Sequence, residues 1–129
     1  MSAEELDYLS VEDLLEIASG VLDDVAFRDL GLLAAAAARP RTTVFGDDAY
    51  PGFEDKVAAL LHSLVRTHAL VDGNKRLAWS AARILCLLNG RDLTYTVDEA
   101  EQRMLAAAAG GLDVPQIAAW LAARMGAAS

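Results

Sequence analysis

The chain has 129 residues, the size of one ordinary domain and enough to enclose a core, and 54% of them are hydrophobic, which excludes a disordered chain. Its net charge of −8 works against nucleic acid as a direct partner, and no apolar run is long and uncharged enough to span a bilayer. Cys86 is the single cysteine, so no internal disulfide forms and a reducing cytoplasm is expected; the acidic Met1–Glu5 segment predicts no secretory leader.

No linker, repeat or break in composition divides residues 1–129, so a single domain is expected. A first helix should open at Ser10, which has Asp13 at capping-box spacing; Val11, Leu14, Leu15 and Ala18 follow at helical spacing, and Gly20 weakens the end. A second, short helix should cover Asp29–Ala38 and stop at Arg39-Pro40, because the residue before proline disfavours helical angles. The alanine clusters Ala34–Ala38 and Ala106–Ala109 read as packed helix surfaces. Arg41–Phe45 and the turn residues Gly46-Asp47-Asp48 predict a loop or short ribbon.

A third helix should run from Phe53 to His68, with Val57, Leu60, Leu61, Leu64 and His68 on one inward stripe and His62 turned to solvent or another surface. The fourth follows the motif, with Asp72–Arg76 at its N-terminal end, and ends at Asn89-Gly90; between Leu77 and Leu88 only Ser80 and Arg83 are strongly polar, which predicts a central, buried helix. Thr96 and Glu99 predict a capping box at the start of a fifth helix, Val97–Ala109, broken by Gly110-Gly111. Asp113 should cap the last helix, with Pro115 in its first turn and Ile117, Trp120, Leu121 and Met125 inward. The expected fold is all-α, a compact bundle of about six helices around a central buried one.

The chemistry concentrates in His68-Ala-Leu-Val-Asp72-Gly73-Asn74-Lys75-Arg76, between the third and fourth helices. A helix start leaves backbone N–H groups unpartnered and carries partial positive charge, so Lys75 and Arg76 there oppose the dipole. Such a cost makes sense if a polyanion, above all a phosphate chain, binds at that point. Nearby positive charge also disfavours imidazolium, which leaves His68 able to accept a proton as a general base, although a histidine on an apolar stripe is often only a core residue. Asp72 reads equally as the cap of the core helix or as a carboxylate ligand for Mg²⁺ shared with substrate phosphates. Gly73 permits close backbone approach, and Asn74 can bind phosphate or cap the helix. Arg76 suits paired hydrogen bonds to a phosphate, and Lys75 acts as a point charge. Cys86 reads as packing rather than nucleophile.

The nine residues His68–Arg76 resemble the signature of the Fic/Doc superfamily, and specifically its Doc (death-on-curing) toxin branch; Arg28–Leu33, Arg39-Pro40, Phe45–Pro51 and Leu87–Gly90 extend the resemblance over nearly the whole chain. The resemblance implies transfer of a phosphorus-containing group from a nucleotide to a protein hydroxyl. His68 then takes the hydroxyl proton, Asp72 holds Mg²⁺, and Gly73, Asn74, Lys75 and Arg76 hold the phosphates. Lysine at position 75, where AMP-transferring relatives have glycine, implies transfer of the γ-phosphate of ATP. The implied target is a translation elongation factor, the implied partner a small antitoxin, and the implied result arrest of protein synthesis. An adenylyltransferase and a non-catalytic binding protein of the same fold are the alternatives. Leu70 departs from the family's usual phenylalanine, which anchors the motif loop.

Overall fold

The computed structural model describes residues 5–129, so all but the last residue of the acidic Met1–Glu5 segment lies outside the described residues. Six helices carry the fold: α1 Val11–Val21, α2 Leu30–Ala38, α3 Phe53–Arg66, α4 Asn74–Leu88, α5 Val97–Ala108 and α6 Val114–Ala122. Two antiparallel pairs of short strands complete it, β1 Thr43–Val44 with β2 Asp47–Asp48 and β3 Arg91–Leu93 with β4 Met125–Ala127. The all-α expectation holds.

Three of the helix starts, those of α1, α2 and α5, follow from side-chain capping. Ser10 Oγ accepts the Asp13 N–H at 3.1 Å, and Asp13 Oδ2 accepts the Ser10 N–H at 2.8 Å, so the expected capping box closes in both directions. Asp29 Oδ1 accepts the N–H groups of Gly31 and Leu32 and fixes the start of α2. At α5 the box closes only halfway: Thr96 accepts the Glu99 N–H, but Glu99 directs its carboxylate to Arg124 at 2.7 Å, a charged partner that outcompetes a backbone N–H.

Three boundaries differ from expectation. α2 does stop at Ala38, yet the chain continues as a tight 3₁₀ turn over Arg39–Arg41. Arg39 keeps helical angles before proline because its N–H still bonds the Ala35 and Ala36 carbonyls. α3 ends at Arg66, not His68: the Thr67 hydroxyl donates to the Ser63 carbonyl, and His68 adopts φ 49°. α6 ends at Ala122, and Met125, expected on its inward face, instead begins β4 because the Arg124 carbonyl accepts from Thr94 and leads the chain alongside β3.

The core lies between α3 and α4. α4 is central as expected and buries Leu77, Ala78, Ala81, Ala82, Leu85 and Cys86, but α3 is enclosed more completely. Its buried residues include Val57–Leu61 and Ser63–Val65, packed against α2, α4, α5 and α6. The alanine clusters pack on one side only: Ala36, Ala37 and Ala107 are buried, while Ala34, Ala35 and Ala109 face solvent. Burial pushes the Cys86 thiol up to about 12, which fits a packing role. At the far end of α4, Asn89 accepts the Asp7 N–H and donates to the Asp7 carbonyl, both at 2.9 Å, and so ties the N-terminal segment to the core helix.

Candidate active site

The α3–α4 junction is built on two residues that the chain holds from several directions, Ala69 and Leu70, both buried. On one side the Ala69 carbonyl accepts from the N–H groups of Arg28 and Asp29 at 2.8 and 3.1 Å. Phe27 and Leu70 form an antiparallel bridge, and the Val71 N–H bonds the Ala26 carbonyl. On the other side Asn74 Oδ1 accepts the Leu70 N–H at 3.0 Å while Asn74 Nδ2 donates to the Leu70 carbonyl at 2.9 Å. A single carboxamide thereby satisfies both backbone groups of one residue, as a neighbouring strand would.

This arrangement bears on Leu70. The side chain is fully buried, and backbone bonds on both flanks fix the loop whether residue 70 is leucine or phenylalanine. Between this pin and α4 the chain turns through Gly73 at φ 88°, a left-handed conformation in which a Cβ would also meet Leu22 at 2.7 Å. Position 73 therefore admits glycine on two counts.

His68 is exposed, not inward, because the helix that would have turned it toward the core has already ended. Its φ of 49° is uncommon for a residue with a side chain and marks local strain. Asp72 is also exposed and does not cap α4; Gly73 occupies the N-cap position and no side chain caps the helix. One Asp72 oxygen, Oδ1, accepts the Gly73 N–H at 2.8 Å, and Oδ2 has no partner among the described residues. A single carboxylate with a free oxygen fits Mg²⁺, which is commonly held by one or two carboxylates together with substrate phosphates. No group of three or more His, Cys, Asp or Glu converges on one point among the described residues.

The first bond of the α4 ladder runs from the Leu77 N–H to the Gly73 carbonyl, so the N–H groups of Asn74, Lys75 and Arg76 precede it, uncapped. Lys75 and Arg76 are exposed and make no ion pair among the described residues. Their side chains also border one end of an apolar cleft of about 660 Å³ between α4 and α5, lined by Trp79, Tyr95, Ala100 and Met104. His68 and Asp72 do not line that cleft. The junction thus brings together the histidine, the acid and the uncapped helix start, and the cations extend from it toward α5.

Two features lie outside the motif, and the second of them escaped the sequence reading. His62 does meet another surface: Arg39 Nη1 contacts His62 Nδ1 and Ser63 Oγ, each at 2.9 Å, while Arg39 Nε donates to the Tyr50 hydroxyl at 2.9 Å. Lys56, only 4% exposed, pairs with Asp48 at 3.2 Å and donates to the Tyr50 carbonyl, which anchors the β1–β2 ribbon to α3. Its neighbours Glu54 and Asp55 in the first turn of α3 gave no sign of that burial.

Comparison with known proteins agrees with this architecture. The Fic/DOC family description matches residues 8–86, from the segment before α1 almost to the end of α4. Toxin Doc from Mycolicibacterium smegmatis is 50% identical over 119 residues, which cover 90% of this chain and 92% of that protein. The match spans the pinned junction and the helix start together, and on that basis the chain belongs to the Fic/DOC family.

Proposed function

We propose that this protein is the toxin of a toxin–antitoxin pair and transfers the γ-phosphate of ATP to a hydroxyl of a target protein. The observation that carries this reading is Lys75, an exposed cation without an acidic partner among the described residues, set beside three backbone N–H groups that precede the helix ladder. A phosphate chain would compensate both the cation and the N–H groups. The similarity to a protein named Toxin Doc supports the toxin role and, with it, a small cognate antitoxin as partner.

In this reading the exposed His68 takes the proton of the attacking hydroxyl. The hydroxyl oxygen forms a bond to the γ-phosphorus, the bond from that phosphorus to the β–γ bridging oxygen breaks, and ADP leaves with the electron pair. The backbone N–H groups of Asn74, Lys75 and Arg76 bind phosphate oxygens, with Gly73 allowing close approach. Arg76 supplies paired hydrogen bonds and Lys75 a compact charge beside the transferred group. Asp72 would hold Mg²⁺ jointly with the phosphates, and the ion would neutralise charge on the phosphate oxygens. Positioning and electrostatics supply the rate, and a helix start pinned through Asn74 is rigid enough to provide them. The target implied by the Doc resemblance is a translation elongation factor in the cytoplasm, whose modification stops translation.

The test is to incubate the protein with a cell-free translation extract and ATP labelled at either the α- or the γ-phosphate. Label should pass to one protein from γ-labelled ATP alone, and His68→Ala should abolish it. Transfer of the α label would make the protein an adenylyltransferase; arrest of translation without transfer, unchanged in His68→Ala, would make it a binding protein.

A further inference from the structure

The chain has eleven Lys and Arg residues, and the side chains of eight of them engage a partner among the described residues. Lys56, Arg83 and Arg124 pair with Asp48, Asp92 and Glu99. Arg39 donates to Tyr50 and Ser63, and Arg66 to the Ala108 carbonyl. Arg41, Arg91 and Arg103 lie over the rings of Tyr8, Phe53 and Trp120. The remaining three are Arg28, Lys75 and Arg76.

All three belong to segments that meet at the α3–α4 junction. The Arg28 backbone is one hydrogen bond from Ala69, the residue after His68, on the flank of the junction opposite Asn74. Its side chain is exposed. The adjacent acid, Asp29, is engaged in capping α2 through Oδ1. In a protein of net charge −8, with nineteen Asp and Glu, these three cations, without a partner among the described residues, stand on segments that flank one strained histidine.

We propose that Arg28 is a further phosphate-binding residue, which contacts the nucleotide's phosphate chain from the Ala26–Asp29 side while Lys75 and Arg76 contact it from the start of α4. The inference rests on the phosphotransfer reading of the same site. A planar guanidinium donates to phosphate oxygens in pairs, so Arg28 adds direction as well as charge.

The full chain is titrated with ATP–Mg²⁺ and, separately, with inorganic tripolyphosphate, by calorimetry. Arg28→Ala should weaken both ligands by about tenfold or more, the size of a lost charge-assisted hydrogen bond. Its thermal midpoint should stay unchanged, because the exposed Arg28 side chain makes no hydrogen bond or ion pair among the described residues. Arg28→Lys should recover part of the loss and guards against a misfolded alanine variant. Lys75→Ala is the control for the site. If Lys75→Ala weakens binding and Arg28→Ala does not, the assignment of Arg28 is overturned and the phosphotransfer reading stands. If ATP is weakened but tripolyphosphate is not, Arg28 touches the nucleoside and the proposal fails as stated. If wild-type protein binds neither ligand, the phosphotransfer reading fails and the role of Arg28 falls with it.

Discussion

At the tip of the β1–β2 ribbon, Phe45 holds φ 52° with its side chain wholly in solvent, 102% exposed. The residue pair Phe45-Gly46 forms a two-residue turn with both φ values positive, a geometry that favours Asn-Gly or Asp-Gly. Phe45→Asn should therefore stabilise the free protein, by about 1 kcal/mol from relief of the left-handed strain. Chemical denaturation measures this, and a loss of stability would mean that the aromatic ring packs somewhere in solution. Asn74 is the converse case, a polar residue whose side chain is fully engaged. Its carboxamide is bound to Leu70, which leaves only its backbone N–H for the proposed phosphate contact, and Asn74→Ala should expose the Leu70 amide to solvent exchange by at least tenfold while amides inside α3 stay protected. Unchanged exchange at Leu70 would show that the bridge to Phe27 alone holds the loop. His68 illustrates where residue-level reading stops. Its membership of the motif was legible, but its exposure was not, because a helical wheel assumes that the helix continues and Thr67 ends it.

At the scale of elements, one guanidinium joins three pieces of chain. Arg39 in the 3₁₀ turn reaches Tyr50 before α3 and both His62 and Ser63 within it. Arginine only donates, so His62 Nδ1 must be unprotonated to accept from it. Burial first, and then the charge of Arg39, hold the His62 pKa below its ordinary 6.5; Arg66 adds to this and Asp113 opposes it. A histidine whose folded pKa is lowered binds fewer protons folded than unfolded, so its contribution is complete above pH 6.5 and is lost as pH falls through the folded value. The thermal midpoint should drop as pH is lowered from about 7.5 to about 5, and His62→Gln should flatten that dependence. An identical slope in the variant would place the titration elsewhere. Helix starts were largely legible in the sequence, since Ser10, Asp29 and Thr96 act locally on N–H groups two or three residues away. The β1–β2 ribbon was expected from Arg41–Asp48, but the second strand pair was not. β3 and β4 pair residues more than thirty positions apart, and nothing near Met125 announces Leu93 as its neighbour.

Taken as a whole, the molecule commits most of its cations to partners and leaves a few uncommitted. Exposed ion pairs such as Arg83–Asp92 add little stability individually, but each removes a positive charge from competition for an anionic ligand. Fold class and motif could be read from composition and spacing, because hydrophobic periodicity and the sequence His68–Arg76 are both local. The distribution of committed and uncommitted cations could not be read, because it depends on which acids and rings the tertiary fold brings within reach. Arg28 looks like any other arginine until Ala69 is found beside it.

The two amide clamps on α4 differ in one further respect, the length of chain each must close. Asn74 reaches back four residues to Leu70, whereas Asn89 reaches across 82 to Asp7. Ring closure over the longer span costs about 3 kcal/mol more in chain entropy, so the local clamp forms early and the distant one late. The motif loop can thus be in place before the N-terminal segment docks, and fraying of that segment at the opposite end of α4 need not reach the site.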